Sequence, residues 1–329
     1  MLDLALDTGP LIAFYDHGPE EESFREAALA GLSRRDKAIP CRFLYDARGS
    51  ALFDQICELP EYYPTRTETA ILAARAPEMA RLMGPRAQLI ELGSGSSVKV
   101  RILLDAMDDP AAYIAVDISR DHLKRSASAL AAEVRDVQVA AVCADYSAPF
   151  PLPNLPGPIG RRVAFFPGST IGNLEPDEAL AFLRSWVRRL GPGAAMLVGV
   201  DLRKDAATLN AAYDDAQGVT AAFSLNLLVR ANAELGADFN LRGFVHEAIY
   251  DTDLGRVAIH LRSLARQTAH IGDHVFAFDV GERIHVEHSY KYTIAGFQAL
   301  ARRAGFEPAA AWTDPAQLFS VHHLTTPPA

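Results

Sequence analysis

The sequence predicts an α/β fold with a mostly parallel sheet, interrupted by an α+β insertion. Between residues 89 and 200, five short apolar runs alternate with helical segments, as parallel strands joined by crossover helices do. After Asp201 the pattern changes to a long helical stretch and then to segments of alternating polarity. Such segments are typical of antiparallel strands with one wet face. The length of 329 residues also favours two domains over one core.

The first half of the chain contains the expected parallel sheet and the segments that precede it. Residues 1–40 are expected to form an irregular lead and one helix, from Glu20 to Leu32. Residues 42–68 are polar, aromatic and rich in turns, and an alanine-rich helix from Thr67 to Met83 follows. The predicted strands are Leu89–Leu92, Tyr113–Val116, Val137–Val142, Val163–Phe166 and Ala194–Val200.

The second half contains the expected additional domain and the last part of the sheet. Helices are predicted from Ala206 to Leu235 and from Gly296 to Ala304. The strands expected here are Val257–Leu261, Val275–Asp279, Phe306–Trp312 and Leu318–Leu324. The last two form a hairpin that closes the sheet.

Composition and charge restrict the class of protein. The chain is 49% hydrophobic and 22% charged, as normal globular proteins are, and its net charge of −9 argues against a nucleic-acid substrate. Its three scattered cysteines indicate neither a disulfide framework nor a zinc knuckle. The early acids Asp3 and Asp7 do not fit a secretory signal, and no run is apolar enough to span a bilayer. We therefore expect a cytoplasmic protein without nucleic-acid or membrane partners.

Residues 89–97 form the most informative segment, an apolar strand that leads into a turn of small residues and then a helix. Gly93 and Gly95 allow the backbone to approach a ligand, because glycine has no Cβ. Asp117 and Asp145 lie at the ends of the next two apolar runs. This layout is typical of a nucleotide-type cofactor at the carboxyl ends of parallel strands. The alternative is an ordinary strand-to-helix turn with unrelated helix caps.

The residues around this turn favour S-adenosylmethionine as the cofactor. A dinucleotide turn would have a third glycine where Val98 stands, and Glu91 would repel a pyrophosphate, so an NAD-dependent oxidoreductase is disfavoured. S-adenosylmethionine has no phosphate, and its ammonium group and ribose hydroxyls suit acidic partners such as Glu91. Lys99 could bind its carboxylate, and Asp145 could accept a hydrogen bond from the adenine amino group.

Two further segments contain candidate substrate residues. The loop after the fourth strand ends in Asn173, whose amide could bind the ammonium and carboxylate of an α-amino acid, or could instead cap the helix that opens at Pro176. If residues 281–293 are extended, Glu287 and Ser289 share a face and could hold both nitrogens of an imidazole. From that segment alone, an exposed strand face is the favoured interpretation.

The histidines do not indicate a metal site. The adjacent pairs are His270 and His274, His285 and His288, and His322 and His323. None combines helical spacing with an acidic partner and a third ligand, so we expect scattered surface histidines and no metal.

With these residues in view, the chain resembles the histidine-specific N-alpha-methyltransferases of ergothioneine biosynthesis from about Pro40 to its C-terminus. The most specific match is a block that runs from Phe43 to Glu68. Other segments match in the same order, namely Glu91–Gly95, Gly168–Asn173, Tyr213–Ala216 and Glu287–Ser289. The resemblance implies a Rossmann-like class I methyltransferase sheet and transfer of three methyl groups from S-adenosylmethionine to the α-amino group of L-histidine, which yields hercynine without a metal.

The resemblance also implies a role for individual residues. The amino and carboxylate groups of the substrate would be bound by Tyr62, Asn173 and Tyr213. The imidazole of the substrate would be bound by Glu287 and Ser289. Those that would line the cofactor site are Tyr45, Gly93, Lys99, Asp117, Asp145 and Tyr146. The amine must lose a proton before each transfer, and no general base can be named. Asn173, Tyr45 and Tyr62 would position the reacting groups, and either tyrosine or water is a candidate base.

The resemblance implies a discontinuous substrate domain, in agreement with the change of pattern after Asp201. We expect residues 62–200 and 292–329 to bind the cofactor, and residues 1–61 and 201–291 to bind the substrate, in a monomer. Ile259 stands where the family often has a methionine in the imidazole pocket, which leaves substrate selectivity open. Alternative functions are methylation of another amine, such as tryptophan, and a catalytically silent cofactor-binding subunit.

Overall fold

The computed structural model describes residues 11–18, 23–95, 97–134 and 136–328, and these form two compact units. Unit 1 contains the described residues of 1–20 and of 292–329, together with Arg66–Leu202. Unit 2 contains the described residues of 21–65, together with Arg203–Lys291. The expected helix start at Glu20, and Ser96 of the glycine turn, lie outside the described residues.

Unit 1 is built on one sheet. Its strands, numbered along the whole chain, are β1 (Ala13–Asp16), β3 (Gln88–Leu92), β4 (Ala112–Asp117), β5 (Gln138–Cys143), β6 (Arg162–Phe166), β7 (Ala195–Asp201), β13 (Glu307–Thr313) and β14 (Phe319–Thr325). Over the described ranges their order is β1-β5-β4-β3-β6-β7-β14-β13. Neighbours from β1 to β7 are parallel, whereas β14 is antiparallel to both β7 and β13. The predicted parallel strands and terminal hairpin are confirmed.

Helices pack against both faces of this sheet. They are α3 (Tyr63–Met83), α4 (Val98–Ala106), α5 (Arg120–Glu133), α6 (Pro176–Leu190) and α9 (Ile294–Ala304). Successive residues of one strand enter different cores, since Leu89 packs in one cluster and Ile90 in the other. Burial on both faces explains why the central strands β4 to β7 are mostly apolar along their length instead of alternating.

Two expectations for unit 1 are wrong. Residues 1–40 were expected to be irregular before their helix, but Ala13–Asp16 form β1 and pair with β5. His322 and His323 were expected at the surface, but both are buried. They lie on β14, which has a strand on each side, and burial lowers the pKa of each to about 4.

Unit 2 combines short helices with antiparallel strands. Its strands are β2 (Lys37–Ala38), β8 (Phe244–Asp251), β9 (Arg256–Ser263), β10 (Gln267–Ile271), β11 (His274–Phe278) and β12 (Arg283–Tyr290). Its helices are α1 (Phe24–Leu32), α2 (Ala47–Glu58), α7 (Ala206–Tyr213) and α8 (Val219–Leu235). One sheet has the order β2-β12-β9-β8, and β10 and β11 form a separate hairpin. The change to antiparallel strands is confirmed, although β8 and α2 were not predicted.

The long helix expected from Ala206 to Leu235 is divided in two. The carboxylate of Asp215 accepts hydrogen bonds from the backbone N–H groups of Val219 and Thr220, at 3.0 and 2.7 Å. It therefore caps the start of α8, while Gly218 turns the chain with φ +74°. As a result Tyr213 lies at the C-terminal end of α7.

None of the helices in the described ranges is long and apolar enough to cross a membrane.

Candidate active site

The glycine turn after β3 lies against the end of β4. The N–H of Gly93 donates to the carbonyl oxygen of Val116 at 2.9 Å, and its φ of +76° is a conformation that favours glycine. A Cβ on Gly93 would lie 3.7 Å from the ring of Tyr146. The turn therefore lies at the carboxyl edge of the sheet, with the ring of Tyr146 next to the Gly93 backbone.

Two of the expected cofactor residues share that edge. Asp117 ends β4, and Asp145 follows β5, which is the next parallel strand. Asp117 accepts from the N–H of Ser119 at 2.8 Å, and burial raises the pKa of its carboxyl. Asp145 accepts from the N–H and the hydroxyl of Ser147 at 2.8 and 2.6 Å. Each carboxylate is thus held in place, and carboxylate oxygens suit the hydroxyl and amino groups of an adenosine.

Tyr146 supplies an aromatic surface beside the turn. Its ring centroid lies 5.6 Å from that of Phe166 and 6.3 Å from that of Phe182. Its carbonyl oxygen accepts from the indole N–H of Trp186 at 3.2 Å. These contacts hold the tyrosine by both its ring and its backbone.

Glu91 has a structural role that the sequence did not indicate. Its side chain is 2% exposed and accepts a hydrogen bond from the hydroxyl of Tyr113 on β4 at 2.5 Å. Burial raises the pKa of this carboxyl to about 8. Glu91 therefore braces β3 against β4 inside unit 1, and it also lines a small cavity with Ser94 and Gly95 of the glycine turn.

Glu68 is a residue that the sequence reasoning missed. This fully buried carboxylate accepts from Lys99 Nζ at 2.5 Å and from the N–H of Gly168 at 2.9 Å. Gly199 makes room for it, because a Cβ there would lie 1.9 Å from Glu68 Oε1. Glu68 thus fixes the start of the loop after β6 and binds Lys99, the lysine expected to reach the cofactor carboxylate. Its one signal in the sequence is its place at the end of the block from Phe43.

The loop after β6 presents Asn173. Gly168 and Ser169 both have positive φ, +78° and +58°, and the Ser169 hydroxyl accepts from the N–H of Asp201 at 2.9 Å. Asn173 ends the short 3-10 turn that follows and is half-buried. The alternative that Asn173 caps the next helix is wrong, because Glu175 is the N-cap of α6 and forms a capping box with Glu178.

In unit 2, β12 brings the two expected imidazole residues to one face. Glu287 lies opposite Ile259 of β9, and Ser289 lies opposite Val257, two residues away. Ser289 is buried and Glu287 is half-buried, so the interpretation of an exposed strand face is wrong. The register shifts between His285 and Glu287, a β-bulge of the kind that re-aims side chains.

Tyr213, Ser289 and Lys291 form a compact polar cluster. The hydroxyls of Tyr213 and Ser289 are 2.9 Å apart. Lys291 Nζ donates to the hydroxyl oxygens of Tyr213 at 2.6 Å and of Ser289 at 2.7 Å. Lys291 is only 2% exposed, and the sequence reasoning did not single it out. Its one signal is the period-two spacing from Glu287 and Ser289.

Tyr62 lies beside this cluster, with its ring centroid 6.1 Å from that of Tyr213. Burial, together with neighbouring Tyr213 and Glu287, raises the pKa of the Tyr62 hydroxyl well above its ordinary value. This shift favours the protonated form of Tyr62, whose hydroxyl can donate a hydrogen bond. Tyr45 is also in unit 2, 40% exposed, with its ring against Phe53 and Phe223, whereas the other expected cofactor residues are in unit 1.

His246 forms a hydrogen bond with the backbone of Tyr213. Its Nε2 lies 2.8 Å from the carbonyl oxygen of Tyr213, and its Nδ1 lies 3.0 Å from the hydroxyl of Ser224. Burial lowers the pKa of this imidazole, so it stays neutral and donates from Nε2. The end of α7, and with it Tyr213, is thereby tied to β8.

The strand order, the glycine turn and the carboxylates at the ends of β4 and β5 are those expected of a Rossmann-like, class I methyltransferase dependent on S-adenosylmethionine. The residues fit this cofactor, since the turn needs Gly93 and the acidic side chains are held at the same sheet edge. No group of three or more metal-ligating side chains occurs among residues for which the structure gives positions. The chain belongs to the family described as histidine-specific, SAM-dependent methyltransferases, whose profile matches residues 24–326.

Known relatives agree with this family over most of the chain. The histidine N-alpha-methyltransferase of Mycolicibacterium smegmatis is 42% identical, over 91% of this chain and 94% of that protein. The enzyme of the same name from Mycobacterium tuberculosis is 40% identical over the same shares. Ergothioneine biosynthesis protein 1 of Neurospora crassa is 34% identical over 84% of this chain and 32% of its own length.

Proposed function

We propose that this protein methylates the α-amino group of L-histidine three times to give hercynine, as a step of ergothioneine biosynthesis. The observation that carries the proposal is the face of β12, where Glu287 and Ser289 stand side by side with the Tyr213 hydroxyl at 2.9 Å from Ser289. A carboxylate next to a hydroxyl suits a ring that has one N–H donor and one nitrogen acceptor. Membership of the histidine-specific family supports the same substrate.

The polar groups of unit 2 divide the recognition of histidine between them. Glu287 accepts the N–H of the imidazole, and the Ser289 hydroxyl donates to the other ring nitrogen. Tyr62, whose raised pKa keeps it protonated, donates to the substrate carboxylate. Tyr213 contributes a second hydroxyl for the amino acid end. A site built to bind both ring nitrogens discriminates strongly against rings that lack one of them.

Unit 1 supplies the residues for the methyl donor. Gly93 would border the cofactor, Asp117 would hold its ribose hydroxyls, and Asp145 with Tyr146 would hold its adenine. Lys99, paired with Glu68, borders the same turn. S-adenosylmethionine supplies an electrophilic methyl group on a sulfonium.

The substrate amine must be neutral when it attacks, so positioning and loss of a proton are what the protein contributes. The amide of Asn173 can accept from the amine and orient its lone pair. Tyr45 and water remain as proton acceptors.

Incubation with L-histidine and excess S-adenosylmethionine, followed by mass spectrometry, tests the proposal. We expect a product that has gained three methyl groups. Tryptophan and other amino acids, assayed in parallel, are expected to gain none. Methylation of another amine but not of histidine would refute the substrate, and cofactor binding without any methyl transfer would identify a silent subunit.

A further inference from the structure

We propose that Lys291 is a positioning residue that turns the Tyr213–Ser289 hydroxyl pair into a hydrogen-bond donor toward the substrate ring. The site would thereby select a neutral ring with one acceptor nitrogen. This inference rests on the proposed function and adds a specificity-determining residue to it.

The hydrogen bonds of the cluster determine which of its groups can donate to a ligand. A lysine ammonium has three N–H donors and no acceptor, so both hydroxyl oxygens must accept from Lys291. The two hydroxyls also contact each other, and one of them donates in that contact. When Tyr213 donates in that contact, the Ser289 oxygen accepts from both neighbours, and the proton of Ser289 is the one left to donate outside the triangle. Toward a ligand, the pair therefore offers a donor.

The backbone of β12 holds this arrangement in place. Glu287, Ser289 and Lys291 alternate along the chain, and the N–H of Lys291 donates to the carbonyl oxygen of Gly255 at 2.8 Å. Lys291 Nζ also lies 4.5 Å from the centroid of the Tyr213 ring, a cation–π contact. Lysine is rarely buried to this degree, and here its charge is directed at two hydroxyl oxygens.

Glu287 complements the donor. Its carboxylate can only accept when it is ionised, so the face of β12 presents one acceptor and one donor. A neutral imidazole matches both. Without Lys291, the two hydroxyls could rotate to accept instead, and a ring with a CH in place of the acceptor nitrogen would be rejected less strongly.

Kinetics with two substrates test the inference. Wild type and Lys291→Met are compared on L-histidine and on a pyrrolylalanine, in which the acceptor nitrogen of the imidazole is replaced by CH. We expect Lys291→Met to lower kcat/KM for histidine roughly 10- to 100-fold, mainly through KM, while the analogue is nearly unaffected. Lys37→Met is the matched control, because Lys37 is a largely buried lysine of the same unit that pairs with Glu282. The Lys37→Met variant should leave kcat/KM for both substrates unchanged.

A double-mutant cycle separates positioning from a general structural effect. If Lys291 acts through Ser289, then Lys291→Met adds no more than about a two-fold loss in a Ser289→Ala background. Calorimetry with S-adenosylhomocysteine reports whether each variant is folded. If Lys291→Met does not bind it, Lys291→Gln, of similar length but uncharged, takes its place with the same two readouts.

Four outcomes would overturn the inference. Equal losses on histidine and pyrrolylalanine, or multiplicative losses in the cycle, would identify a structural role. A Lys291 variant that behaves like Lys37→Met would show that the lysine is irrelevant, while histidine methylation by wild type would leave the proposed function intact. If wild type does not methylate histidine at all, both proposals fail.

Discussion

The two units hold their candidate binding residues by different physical means. In unit 1, Gly93, Asp117 and Asp145 follow three neighbouring parallel strands, so the sheet itself brings them to one edge. In unit 2, Tyr213 comes from the end of α7 and Ser289 from β12, 76 residues later, and side-chain hydrogen bonds join them. The first arrangement depends on backbone topology, and the second depends on individual side chains.

This difference has consequences for mutation. A residue at a strand end keeps its place when a neighbour changes, because the ladder of backbone hydrogen bonds defines that place. The position of a residue in a side-chain cluster depends on every other member of the cluster. Removal of one partner by mutation leaves a buried polar group without its hydrogen bond. Substitutions in the cluster around Tyr213 and Ser289 should therefore change substrate recognition sharply and leave cofactor affinity unchanged.

Replacement of Glu287 by alanine is the strongest test of that separation. We expect histidine affinity to fall at least about 100-fold, because an acceptor built for a polar ring is lost. Affinity for S-adenosylhomocysteine should change by less than about two-fold. Isothermal titration calorimetry measures both.

Glu247→Ala is the matched control for that variant. Glu247 lies on β8 of the same sheet, opposite His260 of β9, and pairs with Arg262 and Arg283. It should leave histidine affinity unchanged. Comparable losses in the two variants, or an unaffected Glu287→Ala protein, would contradict the assignment of the imidazole site.

A pH effect of intermediate size is expected from Glu91 in unit 1. Its folded-state pKa is raised to about 8, so its contribution to stability is complete below its ordinary value and is lost as pH rises through 8. Between pH 6 and 8, wild type should lose about 2 kcal/mol more unfolding free energy than Glu91→Gln. Urea unfolding at both pH values measures this difference. The same pH dependence of the unfolding free energy in wild type and in Glu91→Gln would show that Glu91 does not ionise in that range.

The smallest effect is expected from Ile259→Met. Ile259 is buried opposite Glu287, and methionine is similar in volume but more flexible. We expect KM for histidine to change by less than about five-fold and the cofactor KM to stay constant. Steady-state kinetics decide this. A new activity toward tryptophan in the variant would instead make position 259 a determinant of selectivity.

Much of unit 1 could be predicted because its signals are local. The strands β4 to β7 are mostly apolar along their length, and the turn at Gly93 directly follows β3, which is apolar from Leu89 to Leu92 except for Glu91. β1 was missed because four residues at a sheet edge give too short a pattern, and the buried place of His322 was missed because its neighbours on β14 do not reveal which strands flank it.

In unit 2 the sequence was less informative. The break between α7 and α8 depends on Asp215, whose capping role is visible only when its bonds to Val219 and Thr220 are known. The alternation of Glu287 and Ser289 was readable from the chain, but their burial was not, because it depends on the partner strand β9.

The sequence by itself determined the class of fold, the cofactor turn and the family, since these reside in short contiguous segments whose local conformation sets their chemistry. Tertiary structure alone decided that Glu91 braces the sheet, that Glu68 holds Lys99 and Gly168, and that Lys291 joins Tyr213 and Ser289. These roles depend on burial and on partners distant along the chain. A polar residue surrounded by apolar ones looks the same in sequence whether it faces a ligand or another side chain.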